Sequence, residues 1–66
     1  MKIVSEDQYF IRMTGLTVDD ETEEINIQKI HGRWCILRDN MCVQDFNQLP
    51  AAKLWLNFNV WAADEL

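Results

Sequence analysis

Apolar and polar residues alternate most regularly between positions 25 and 44, where two strand-like runs meet at His31-Gly32. Gly takes positive φ freely and His does so occasionally, which suits this pair to a two-residue hairpin turn. The turn sets Ile30 opposite Arg33, Lys29 opposite Trp34, Gln28 opposite Cys35, Ile27 opposite Ile36, Asn26 opposite Leu37 and Ile25 opposite Arg38. Asp39-Asn40 predicts a second tight turn, with Arg38 opposite Met41, Leu37 opposite Cys42 and Ile36 opposite Val43. Both turns put Ile25, Ile27, Trp34, Ile36, Met41 and Val43 on one face, and that agreement predicts a three-stranded antiparallel meander with an apolar floor. Asn26, Gln28, Ile30, Cys35, Leu37, Cys42 and Gln44 form the mixed opposite face.

The densest apolar run follows, from Leu49 to the C-terminus. Leu54, Leu56, Phe58, Val60 and Ala62 alternate with Trp55, Asn57, Asn59 and Trp61 as a strand would, so periodicity alone does not decide its type. Pro50 fits a first helical turn, and the alanines at 51, 52, 62 and 63 favour helix over strand, predicting a helix from about Pro50 to Asp64. On it Ala51, Leu54, Trp55, Phe58, Trp61 and Ala62 make the wide face that would lie on the sheet. Ala52, Leu56, Val60 and Ala63 point elsewhere, and this surplus predicts an oligomer or partner contact.

Residues 1–16 admit two readings. Ser5-Glu6-Asp7-Gln8 has capping-box spacing, with Gly15 as a helix stop. The alternation of Tyr9, Ile11 and Met13 with Phe10, Arg12 and Thr14 favours a strand at about Gln8–Thr14, a possible fourth in the sheet. Residues 17–24 hold five of the eleven acids, Asp19, Asp20, Glu21, Glu23 and Glu24, with no basic residue among them. They read as a loop, either a solvated connection or an electrostatic contact for a basic patch on a partner.

Sixty-six residues with 48% apolar content imply one domain, 1–66, near the size limit for an unstapled core. A net charge of −5 and scattered basic residues argue against nucleic-acid binding. No run reaches the roughly 20 apolar residues of a membrane span, and the N-terminus turns acidic too early for a signal peptide. A cytoplasmic protein with free thiols is expected.

Chemistry is sparse. Thiolate and imidazole suit zinc, yet His31, Cys35 and Cys42 lack the paired spacing of a zinc site, and small semi-buried cysteines are the simpler reading. Cys35 and Cys42 are diagonal neighbours in the proposed register, a poor fit to disulfide geometry. A Cys–His nucleophile would require His31 to leave a solvent-facing turn, and the clustered carboxylates have nothing to bury them. Two glycines cannot build a phosphate loop, so neither an enzyme nor a cofactor is expected. Of the three tryptophans, Trp34 belongs to the predicted core, whereas Trp55 and Trp61 cannot both point at its centre. One of them is either core rim or an interface anchor.

The succession strand, His31-Gly32-Arg33-Trp34, strand, turn, strand, Leu49-Pro50-Ala51-Ala52-Lys53-Leu54 and a closing Ala62-Ala63-Asp64-Glu65 resembles short acidic proteins encoded by bacteriophages and prophages. The likeness covers residues 25–66; residues 1–24 have no counterpart in it. It implies a non-catalytic protein that binds and blocks a host protein, in some cases one of a bacterial defence system. The expectation is therefore an α+β domain, a small antiparallel sheet of three or four strands with one C-terminal helix on one face. It would bind a host protein bearing a basic patch through Asp19, Asp20, Glu21, Glu23, Glu24, Trp55, Leu56, Val60 and Trp61. A structural homo-oligomer such as a homodimer, with the helix as self-interface, and an acidic nucleic-acid mimic are the alternatives.

Overall fold

The computed structural model describes residues 1–65 as one antiparallel sheet and one helix, an α+β fold. Strands β1 (Lys2–Glu6), β2 (Phe10–Leu16), β3 (Thr22–Ile30), β4 (Arg33–Arg38) and β5 (Met41–Phe46) lie side by side in chain order. Helix α1 (Leu49–Asn59) packs on one face, and a short 3₁₀ turn, Ala63–Glu65, follows it.

Both central hairpins have the expected registers near their turns. His31 and Gly32 have φ of 50° and 77°, and Asp39 and Asn40 have φ of 52° and 63°, so each turn has two left-handed residues, as a two-residue connection between right-twisted strands requires. β3 and β4 pair from Ile30↔Arg33 to Asn26↔Leu37, and β4 and β5 pair Arg38↔Met41 and Leu37↔Cys42. Beyond Cys42 the prediction fails. Ile36 pairs with Gln44 instead of Val43, because a bulge inserts Val43 as an extra residue. Met41 and Val43, expected in the floor, are exposed on this edge strand.

The sheet has five strands, more than the three or four expected. β2 runs slightly later than Gln8–Thr14, and β1 was not anticipated. Asp7 ends the helical reading of the N-terminus: its carboxylate accepts the N–H groups of Tyr9 and Phe10, both at 2.8 Å, and folds the β1–β2 turn. The acidic loop is shorter than predicted. Thr22, Glu23 and Glu24 already belong to β3 and pair with Leu16, Gly15 and Thr14.

One layer of side chains joins sheet to helix: Ile11 and Met13 from β2, Ile25 and Ile27 from β3 and Ile36 from β4, against Ala52, Leu56, Val60 and Trp61. Trp34, Phe46, Leu49 and Trp55 seal its margin, with the Phe46 and Trp55 rings tilted at 6.4 Å between centroids. This reverses the expected orientation of α1. The stripe Ala52-Leu56-Val60, spaced by four, faces the sheet, with Ala52 allowing close approach; Leu54 and Phe58 face away.

The helix also stops about five residues before Asp64. The N–H groups of Val60 and Trp61 both reach the Leu56 carbonyl, each at 2.9 Å, and the chain then runs beside the end of β2. The Val60 carbonyl accepts Val18 N–H at 2.8 Å, Ala62 N–H donates to Leu16 O at 2.9 Å, and Thr17 and Trp61 form a bridge. Lateral pairing of this β-branched and aromatic segment outweighs the helix preference of Ala62 and Ala63. At the other end Pro50 sits in the first turn as expected. Gln48 at the N-cap makes no side-chain bond, and Asp45 and Asn47 just before it both accept from the Arg33 guanidinium, Asp45 at 2.7 Å.

Candidate protein-interaction surface

The residues expected to meet a partner fall into three groups. Leu56, Val60 and Trp61 lie in the core, each at most 2% exposed, so they are not contact residues; their burial is what fastens α1 to the sheet. Trp55 is half-buried against Phe46, a core-rim tryptophan. The acidic residues are at the surface but do not act as one patch.

Glu23 and Glu24 are engaged within the sheet. Arg38 on β4 clasps Glu23 through Nη2 at 2.5 Å and Nε at 3.3 Å, and this bond holds the guanidinium above its ordinary pKa. Arg12 on β2 donates to Glu24 at 2.9 Å. These are cross-strand pairs between residues distant in sequence, invisible to local composition. Asp19, Asp20 and Glu21 are exposed in the turn between β2 and β3, with no ion-pair partner among the described residues. Asp20 has φ of 67°, and the turn is closed by Thr17 N–H on Glu21 O at 2.8 Å and Asp20 N–H on Thr17 O at 2.9 Å.

That turn is bonded to the end of α1 through Val18 N–H and Val60 O, which brings three unpaired carboxylates to the end of the molecule that also carries Phe58. Phe58 is 78% exposed and Leu54, one turn earlier on the same helix face, is 54% exposed. Together they form the most solvent-exposed apolar pair on α1. Sequence reasoning assigned both to the core and gave the narrow Ala52-Leu56-Val60 stripe, which is the face that meets the sheet, to a partner contact.

Two hollows flank the helix and the sheet. The first, about 130 Å³, lies between β1 and α1 over an apolar floor of Ile3, Met13, Leu56 and Trp61, with Lys53 at its rim. The second, about 330 Å³, is a shallow polar depression beside Glu23, Glu24, Asn26 and Asp39, where the Asn26 Oδ1 atom is buried without a hydrogen-bond partner among the described residues.

Groups capable of covalent or metal chemistry are dispersed. His31 is exposed in its turn, and among the described residues no three His, Cys, Asp or Glu side chains gather closely enough to hold a metal ion. Cys35 is buried on the sheet face away from α1 and Cys42 is exposed; both are free thiols. Burial pushes the Cys35 thiol up, and the neighbouring Cys42 pushes the same way. Among the described residues no helix is long and apolar enough to cross a membrane. The chain matches no family model, no curated protein and no solved structure in comparisons with each.

Proposed function

We propose that the protein is a small, non-catalytic protein-binding module that inhibits or modulates a host protein in the cytoplasm, as its resemblance to short phage proteins implies. The observation that carries this reading is the exposure of Phe58 and Leu54 on one face of a helix whose opposite face is wholly consumed by the core. A large aromatic held outside on a rigid helix is the kind of anchor that fills a partner's pocket, while Asp19, Asp20 and Glu21, in the turn bonded to the end of the same helix, favour a basic rim around that pocket. Leu56, Val60 and Trp61, buried in the core, have no direct part in the contact.

Self-association through the same Leu54–Phe58 face is the second reading, favoured by the unpaired outer edges of β1 and β5, which leave strand pairing open to a second copy. The nucleic-acid mimic is weaker, since Glu23 and Glu24 are already matched by Arg38 and Arg12.

Affinity capture from bacterial lysate, run in parallel on the wild type, Phe58→Asp and a Asp19→Asn/Asp20→Asn/Glu21→Gln variant, tests the proposal. The expected result is one host protein recovered by the wild type, lost with Phe58→Asp and weakened in salt-dependent fashion with the neutralised turn, all three chains remaining folded by circular dichroism. Equal recovery by all three, or none by any, contradicts it. A concentration-dependent mass in light scattering that Phe58→Asp abolishes would favour the homo-oligomer.

A further inference from the structure

We propose that Cys35 and Cys42 form a redox-linkable thiol pair, a modification site on the sheet face opposite α1 that closes into an intramolecular disulfide when a low-molecular-weight disulfide supplies the oxidising equivalents. The inference starts from register. Leu37 pairs with Cys42 and Cys35 pairs with Asp45, so the two cysteines are diagonal neighbours on adjacent strands of one hairpin. On a regular ladder, diagonal Cα atoms stand about 7–8 Å apart, at or beyond the roughly 4.4–6.8 Å that a disulfide spans.

Two local features favour closure. The Val43 bulge falls between Cys42 and Asp45, where it bends β5 and increases the twist of the pair. β5 is also an edge strand with no strand on its outer side among the described residues, and Met41 to Gln44 are all exposed, so no packing on that side opposes a shift toward β4. The thiols are near enough for Cys42 to add to the upward push that burial gives the Cys35 thiol. Their polar contacts are weak ones to backbone carbonyls, Cys42 Sγ to Gln44 O at 3.5 Å and Cys35 Sγ to Arg33 O at 4.0 Å.

Exposure sets the order of events. Cys42 meets the reagent first, while Cys35, 8% exposed, is shielded. The Cys42 thiolate attacks one sulfur of the reagent, breaks its S–S bond and expels one thiolate, leaving a mixed disulfide on Cys42. Cys35 then gives its proton to water and attacks the Cys42 sulfur, expelling the second thiolate. Two protein thiols are oxidised and one reagent disulfide is reduced to two thiols, a balanced two-electron exchange. The product cross-links the β4–β5 hairpin just ahead of α1.

Oxidised glutathione added to the full chain, followed by acid quench and intact mass measurement, tests this, with Cys35→Ser and Cys42→Ser alongside. The wild type is expected to lose the mass of two hydrogen atoms, retain no alkylatable thiol and stay monomeric. Cys35→Ser should stop as a single glutathione adduct at Cys42, and Cys42→Ser should react at least about tenfold more slowly. A wild type that remains unmodified, stops as a stable adduct, carries two adducts or cross-links between chains overturns the proposal.

Discussion

Gly15 on β2 lies against the indole of Trp61: a Cβ at position 15 would stand 3.1 Å from Trp61 Cζ3, 3.2 Å from its Cε3 and 3.1 Å from the Met1 backbone. Trp61 is itself fixed, being buried and bridged to Thr17, so it has little room to give way. Exchanging Gly for Ala at an unstrained strand position ordinarily stabilises by about 0.4–1 kcal/mol through the unfolded chain. Here overpacking reverses the sign, and Gly15→Ala should destabilise by about 1–2 kcal/mol in urea unfolding, Gly15→Val by more. An unchanged or higher midpoint for Gly15→Ala would mean that the indole is not seated on this glycine.

Thr17, the next inward position along the chain, is 1% exposed and its hydroxyl has no hydrogen-bond partner among the described residues. A buried polar group left unsatisfied costs about 1–3 kcal/mol. Thr17→Val keeps the shape and strand preference while removing the hydroxyl, and should raise stability by about 1 kcal/mol. Thermal unfolding checks it; a lower midpoint would reveal a partner for the hydroxyl.

The two hairpin turns should respond oppositely to substitution. Gly32 has φ of 77° and nothing within 4 Å of where a Cβ would stand, so Gly32→Ala carries a purely conformational penalty of about 1 kcal/mol. Asn40, at φ of 63°, occupies the second turn position where glycine is preferred, and Asn40→Gly should be stabilising by a few tenths of a kcal/mol. Urea midpoints moving in the same direction for both variants would contradict the turn assignment.

Glu65 ties the chain ends to the sheet. Its carboxylate accepts from the Met1 ammonium and, at 2.5 Å, from Leu16 N–H, and these bonds, the ammonium first, hold its pKa below the ordinary carboxylate range. In the unfolded chain the group takes up its proton at higher pH than in the folded one. Its stabilising contribution is therefore complete above the unfolded value and drains away as pH falls through the folded value. Unfolding midpoints measured from neutrality down to acid should fall less steeply for Glu65→Gln than for the wild type. Parallel curves would show that the contact contributes nothing.

How much of this was legible in the sequence depended on whether the deciding contact was local. His31-Gly32 and Asp39-Asn40 announce their turns, and from them the pairing of Ile27 with Ile36 and of Leu37 with Cys42 follows by counting. The Val43 bulge breaks that count without a glycine or proline to mark it. β1 was missed because Lys2–Glu6 buries none of its residues and so shows no burial-driven alternation. Glu23 and Glu24 looked like loop because their partners, Arg38 and Arg12, lie on other strands. The candidate surface fared worst. Its acidic turn was visible, but exposure of Leu54 and Phe58 depends on which face of α1 meets the sheet, and that is decided by the exit of Val60–Ala62 to pair with Leu16–Val18.

The facing of α1 can be tested with two leucines of the same helix, two positions apart. Leu56 is 1% exposed and Leu54 is 54% exposed, so truncating each to alanine compares identical chemistry in opposite environments. In urea unfolding, Leu56→Ala should cost about 3 kcal/mol through lost burial and a cavity, whereas Leu54→Ala should stay within about 0.5 kcal/mol of the wild type. Equal losses, or a larger loss for Leu54→Ala, would turn the helix over and remove the Leu54–Phe58 face from the surface.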